Sequence, residues 1–308
     1  MKIFSLLITC LLSFSIYAQE EVSIEESGLT LYGTLLSPDH DTHHAILIIS
    51  GSGPTDRDGN TLAAGVRNDA LKKLAEELTA KGYATLRYDK RGVGKSTGPS
   101  VDQKTLRFEH YVKDAAAWVN YLKAKYTHVT VVGHSQGALT GMLAIEHTPM
   151  DKLVSLAGMA EGLYATLKNQ LAAQPKFVTD AAYPILDSLN KGVKVDSVPP
   201  YLMSIFRPDI QDYFMSFMKY DPQEVIKKVD IPILIIQGDN DLQITVDSAE
   251  KLHASNHKAE LEILKGMNHV LRLTDADPTA NMATYYNSEL PIFAGLTDLI
   301  HAFIQKSP

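Results

Sequence analysis

Two stretches, AILII at 45–49 and IPILII at 231–236, run apolar without the alternation of a half-exposed strand. Such runs fit strands covered on both faces, as in a parallel sheet flanked by helices. YATLRY at 83–88, HVTVV at 128–132, LVSL at 153–156 and LEIL at 261–264 read as further strands. Glu21–Ile24 and Leu29–Leu36 alternate around Ser27-Gly28, the pattern of a hairpin. Between the strands the period changes. DALKKLAEELTAK at 69–81 places apolar residues at helical spacing and stops at Gly82. Tyr111–Tyr126 offers Val112, Ala115, Ala116, Val119 and Leu122 to one helical face, a helix follows Gly137 through Ala144, and Leu296–Ile304 forms the last. The alternation predicts an α/β fold, with eight mostly parallel strands and helices on both sides.

One segment breaks the alternation. From 162 to 229 no strand pattern occurs, and the stretch far exceeds the roughly a dozen residues that a crossover needs. It is expected to be a helical insertion, a lid above the sheet. Phe206, Phe214, Phe217 and Met218 within it are candidates for the wall of a substrate pocket.

At the start, Met1-Lys2 precedes the apolar run IFSLLITCLLSFSI and a small residue at Ala18. This predicts a secretory signal peptide over 1–18 and a single domain over 19–308, exported to the periplasm or the medium. Cys10, the one cysteine, lies in that segment, so the remaining chain has no disulfide and no thiolate. The formal charge is −7, and no basic cluster is present to track phosphates, which argues against nucleic acid as a partner. No second apolar run is long enough for a membrane span.

The candidate chemistry begins at TVVGHSQGAL, 130–139, where a strand pattern runs into Gly133-x-Ser135-x-Gly137 and then a helix. In that context the two glycines permit a sharp turn that exposes a serine nucleophile. Such a serine needs a base, and the base an orienting carboxylate, in the chain order serine, acid, histidine. Asp239 and Asp241 both follow the strand IPILII, with Asp241 the favoured acid; His269, after LEILK, is the candidate base. His253 and His257 read as surface residues, and His134 as aimed away from the site. The backbone N–H of Gln136 is one candidate oxyanion donor, and that of Ser52, or of its neighbour Gly53, is the second.

With these residues placed, the chain resembles the α/β-hydrolase superfamily over nearly its whole length after the signal segment. It is similar to bacterial esterases and serine aminopeptidase-like proteins with an SGSGPxDRDGN loop, here Ser50–Asn60. YDKRGVGKS at 88–96, GHSQG at 133–137, GDNDLQI at 238–244 and GMNH at 266–269 complete the resemblance. It implies the α/β-hydrolase fold and hydrolysis of a small ester of short to medium acyl chain through an acyl-enzyme, with no metal or organic cofactor. An aminopeptidase is the alternative; it would need Glu161 and an aspartate of the insertion to hold a substrate ammonium. A silent binding protein on the same scaffold is the remaining one. Three further patterns are weaker. GVGKS lacks the first glycine of a phosphate loop, since Asp89 stands there. DRDGN has its glycine too early for a calcium loop. His40, His43 and His44 read as a solvated turn.

Overall fold

A computed structural model of the chain describes residues 18–98 and 101–307. The expected signal segment therefore lies outside the described residues, apart from Ala18.

Eight strands form one sheet in the order β1-β2-β4-β3-β5-β6-β7-β8. They are β1 (Ala18–Glu26), β2 (Leu29–Ser37), β3 (His44–Ile49), β4 (Ala84–Tyr88), β5 (His128–His134), β6 (Lys152–Leu156), β7 (Ile233–Gly238) and β8 (Glu260–Leu264). The β1–β2 hairpin is antiparallel, as is the pairing of β2 with β4; every other pair is parallel. Parallel neighbours need crossovers, and helices provide them. These are α1 (Ala70–Ala80), α2 (Phe108–Lys123) and α3 (Gln136–Ala144), then α4 (Leu163–Ala172), α5 (Lys176–Asn190), α6 (Met203–Phe206), α7 (Gln211–Phe217) and α8 (Pro222–Ile226), and finally α9 (Val246–Ser255), α10 (Pro278–Ala283) and α11 (Leu296–Gln305).

The unbroken apolar runs have a direct cause. In β3, Ala45, Leu47 and Ile49 face a core containing Val112, Ala115 and Val119 of α2. Ile46 and Ile48 face the opposite core, with Leu71, Leu74 and Leu78 of α1 and Ile300 and Phe303 of α11. β7 divides likewise, Ile233 and Ile235 to the first core and Leu234 and Ile236 to the second. Because successive side chains point to opposite faces, two covered faces require apolar residues at every position.

Helix α2 starts one turn earlier than the Tyr111–Tyr126 pattern suggests. Its first turn is capped from a distance, the Phe108 N–H donating to Ser216 Oγ at 2.8 Å, and locally, the Arg107 N–H donating to His110 Nδ1 at 3.2 Å. Neither cap has a local sequence signature.

Helices α4 to α8 occupy the interval between β6 and β7. The insertion has its own core, with Leu171, Ile185, Leu186, Leu189, Leu202 and Phe206 packed together. Leu167, Phe214 and Met218 pack against both this cluster and the core beneath α2 and α3.

Candidate active site

Ser135 follows β5 directly and caps α3, with φ 55° and ψ −121°. A non-glycine residue there is strained, and the strain persists because packing on both sides dictates the turn. A Cβ on Gly133 would lie 2.3 Å from the Gly137 carbonyl oxygen, and one on Gly137 would lie 2.3 Å from that of Ile49. Both positions therefore exclude any side chain. The strand and helix approach so closely that the serine between them is pushed outward. The N–H groups of the first turn of α3, Gln136 included, have no partner within the helix.

His269 lies in the loop after β8, and its Nδ1 is 2.7 Å from Asp241 Oδ2. Asp241 follows β7 and is buried. Its Oδ1 accepts from the N–H groups of Gln243 (2.7 Å) and Ile244 (2.9 Å), and its Oδ2 also accepts from Gln237 Nε2 (3.1 Å). Burial opposes the charge, but the proximity and hydrogen bond of His269 and the two backbone donors outweigh it. The carboxyl is held below its ordinary range. An ionised carboxylate only accepts, so His269 carries its proton on Nδ1 and leaves Nε2 bare. Asp239 turns elsewhere: its Oδ1 accepts from the Gly266 N–H at 2.5 Å, joining the loops that follow β7 and β8.

Ser135 and His269 line one cavity together with Gly51, Ser52 and Gln243. Among the described residues no hydrogen bond joins the serine to the histidine. Such bonds often tighten only when substrate arrives.

His134 differs from its expected place. It is half-buried beside the site, and its Nε2 donates to the His269 carbonyl at 2.8 Å, with the two rings 4.8 Å apart. Desolvation, reinforced by His269, pushes its pKa down to about 3, so it stays neutral and braces the His269 backbone. Gln237 was also unforeseen, because a glutamine ending an apolar strand carries no motif.

Ser52 and Gly53 lie on the loop after β3. A Cβ on Gly51 would come 3.2 Å from Ser135 Cβ, so this loop runs against Ser135. Among the described residues the N–H groups of Ser52 and Gly53 donate to no protein atom. The rest of the loop is braced. Asp56 Oδ1 accepts from the N–H groups of Asp58 and Asn60, and Asp58 Oδ1 accepts from Arg87 Nε at 2.7 Å. Arg57 Nη2 meets Asp89 Oδ2 at 2.7 Å, and its N–H donates to Asp89 Oδ1. Gly94 of GVGKS packs on that same carboxylate. Lys95 N–H donates to Asp89 Oδ2, and a Cβ on Gly94 would sit 2.3 Å from it. The loop that resembles a phosphate cradle thus cradles an internal anion. His44 Nε2, for its part, pairs with Thr130 Oγ1 at 2.9 Å.

A second, larger cavity of about 540 Å³ meets the first, of about 240 Å³, at Ser135, Ser52, Thr61 and Gln243. Tyr111, Met159, Leu163, Tyr213, Phe214 and Phe217 line it from α2, the insertion and the loop before α4. Tyr213 Oη accepts from Gln136 Nε2 at 2.7 Å, tying α7 to the serine helix. Phe214 and Phe217 thus face the cavity. Phe206 and Met218 do not, which corrects the expectation that all four form its wall. Phe206 is fully buried in the core of the insertion, and Met218 packs into the seam beneath it. From Pro200 on, the insertion is a series of short helices starting anew at Pro208 and Pro222, so no single helical period runs through these positions.

Among the described residues no helix is long and apolar enough to cross a membrane.

The family model described as serine aminopeptidase, S33 (Hydrolase_4), matches residues 67–204. Esterase EstD of Thermotoga maritima is 28% identical over 260 residues, covering 81% of this chain and 60% of its own length. The chain thus spans about three fifths of that relative. The bifunctional esterase/perhydrolase DCH of Acinetobacter calcoaceticus is 25% identical over 228 residues, covering 64% of this chain and 79% of the relative. Among solved structures, Est1E of Butyrivibrio proteoclasticus with bound ferulic acid superposes with a TM-score of 0.62 at 19% identity, covering 92% of this chain and all of that one. An esterase of Pyrococcus furiosus gives a TM-score of 0.59 at 16% identity, covering 94% of this chain and 91% of its own. A likeness that reaches across almost the whole described sheet, and in sequence across 81% of the chain, leaves one assignment. The chain has the α/β-hydrolase fold, and the sequences it resembles are those of esterases.

Proposed function

We propose that the protein is an exported serine esterase that works through an acyl-enzyme. The observation that carries this reading is the 2.7 Å bond from His269 Nδ1 to Asp241, which leaves His269 Nε2 bare in the cavity it shares with Ser135. Ser135 Oγ attacks the ester carbon while its proton passes to His269 Nε2. The oxyanion forms against the N–H groups of Gln136 and Ser52. As the carbon–oxygen bond breaks, His269 returns the proton to the leaving alcohol. Water then attacks the acyl-enzyme, giving its proton to His269, and the acid leaves as Ser135 recovers a proton.

The leaving group departs on the side of the base. The smaller cavity, which contains His269, therefore takes the alcohol, and the larger one, which contains Ser52 and Gly53 but not His269, takes the acyl chain. The insertion then serves as the lid whose rings bound the acyl arm.

An aminopeptidase would need a carboxylate for the substrate ammonium, and neither arm has one among the described residues. Glu161 is engaged by Lys251 at 2.9 Å and by Asn169. Asp212 is engaged by Lys194 and Arg107. The test is a panel of p-nitrophenyl esters beside aminoacyl p-nitroanilides, together with fluorophosphonate labelling. Ester turnover and labelling of Ser135 are expected; turnover confined to the anilides would reverse the assignment.

The two arms give a further prediction. Phe214→Ala widens the acyl arm and should shift the octanoate-to-acetate ratio of kcat/KM by about tenfold, the scale of a methylene or two in an apolar pocket. Phe206→Ala should leave that ratio unchanged and instead lower stability by about 3–5 kcal/mol, the usual cost of truncating a buried phenylalanine. Denaturant melts and the ester ratio separate the two effects.

A further inference from the structure

Lys90 leaves the end of β4 and is almost wholly buried, yet among the described residues it pairs with no carboxylate. Its neighbours Asp89 and Arg91 are committed elsewhere, to Arg57 and to Asp114. Its ammonium donates instead to two backbone carbonyls, those of Gly51 and of Gly53, the second at 2.9 Å. The Ser52 carbonyl between them accepts from Thr55 Oγ1 at 2.8 Å. Three successive carbonyls thus each have a donor, two of them the same ammonium.

The Gly51 carbonyl and the Ser52 N–H belong to one planar trans peptide, so they point in opposite directions. Holding the carbonyl at Lys90 turns the N–H away from it. The same peptide begins at Gly51, whose Cα lies against Ser135. Glycine on either side of Ser52 would otherwise let this segment reorient at little steric cost. An ammonium on the carbonyl also polarises the amide, which makes its N–H a stronger donor.

We propose that Lys90 is the positioning residue of the oxyanion loop, orienting the Ser52 N–H toward the charge that develops on the substrate. This rests on the serine-esterase reading above. Burying an ammonium without a counter-ion is costly, and the cost is reasonable where the cation has a task. Desolvation draws its pKa down to about 7, against the opposing pull of the Asp56 carboxylate. The other polar groups facing it are the Tyr111 ring, 5.9 Å away on α2, and neutral His134 at the end of β5.

The test is Lys90→Met, close to lysine in length but without charge or donor. It should lower kcat for p-nitrophenyl acetate by about ten- to a hundredfold, less than the loss of an oxyanion donor itself. KM should stay within about threefold and the melting temperature near that of the parent. Affinity for a trifluoromethyl ketone, which forms a tetrahedral oxyanion on Ser135, should fall by the same factor as kcat/KM. A kcat within about twofold of the parent, or a raised KM at unchanged kcat, would overturn the proposal. If Lys90→Met does not fold, Lys90→Gln is measured by the same criteria. Ser135→Ala runs in parallel. Should that variant stay active, the serine reading fails; should it be inactive while Lys90→Met is fully active, the Lys90 inference alone fails.

Discussion

Ser135→Ala should lower kcat for every ester by about 10⁵- to 10⁶-fold while the protein melts at the parent's temperature. The size follows from the site. Among the described residues no cysteine is present, and no other hydroxyl sits on a strained turn against His269. Residual turnover would come only from the oxyanion donors and from binding. The side chain itself makes no hydrogen bond among the described residues, so its loss leaves no partner unsatisfied. Alanine at φ 55° is no worse placed than serine. Burst-phase kinetics with p-nitrophenyl acetate should show the acyl-enzyme in the parent and none in the variant. Retention of more than about a thousandth of the rate would move the nucleophile elsewhere.

Asp241→Asn is expected to cost about 10⁴-fold in kcat, the effect of presenting the base in the wrong tautomer. The carboxylate now receives four donors, and His269 Nδ1–H is one of them. An amide can direct its own N–H at Nδ1, which sends the histidine proton to Nε2, where the bare lone pair is needed. Asp239→Asn should change kcat by less than about tenfold, because that carboxylate only braces the Gly266 turn. Stability should separate the two as well. The folded Asp241 carboxyl is held below its unfolded value, so its stabilising contribution is present above that unfolded value and is lost as pH falls through the folded one. A plot of melting temperature against pH should therefore be flatter on its acid side in Asp241→Asn. Equal acid slopes in parent and variant would contradict the carboxylate network.

The sheet was legible because burial on two faces leaves a plain trace: AILII and IPILII have no polar position. Its carboxyl ends then located Ser135, His269 and the pair of aspartates, since turns at strand ends are short and bear few residues. The choice between Asp239 and Asp241 depends on which carboxylate reaches back over the β7 end, a matter of two residues of turn geometry. His134 was misjudged for a related reason. The sharp turn at Ser135 swings the preceding ring beneath the base, and the pleat alone does not reveal that. Gln237 and Lys90 act through hydrogen bonds to backbone carbonyls and to the Asp241 carboxylate, which no spacing records. Phe206 and Phe214 are alike in composition, but one faces inward and one faces the cavity, and the broken helices between them hide the phase.

The separate core of the insertion has a consequence for how such a protein can change over generations. Sites that share no partners contribute to stability nearly independently. Substitutions around Leu186 or Phe206 therefore load the insertion while leaving the sheet that carries Ser135, Asp241 and His269 unburdened. The seam at Leu167, Phe214 and Met218, with the Tyr213–Gln136 and Ser216–Phe108 bonds, is where strain passes from one to the other. On the proposed esterase reading, substrate preference can thus drift by repacking one module while Ser135, Asp241 and His269 keep their places.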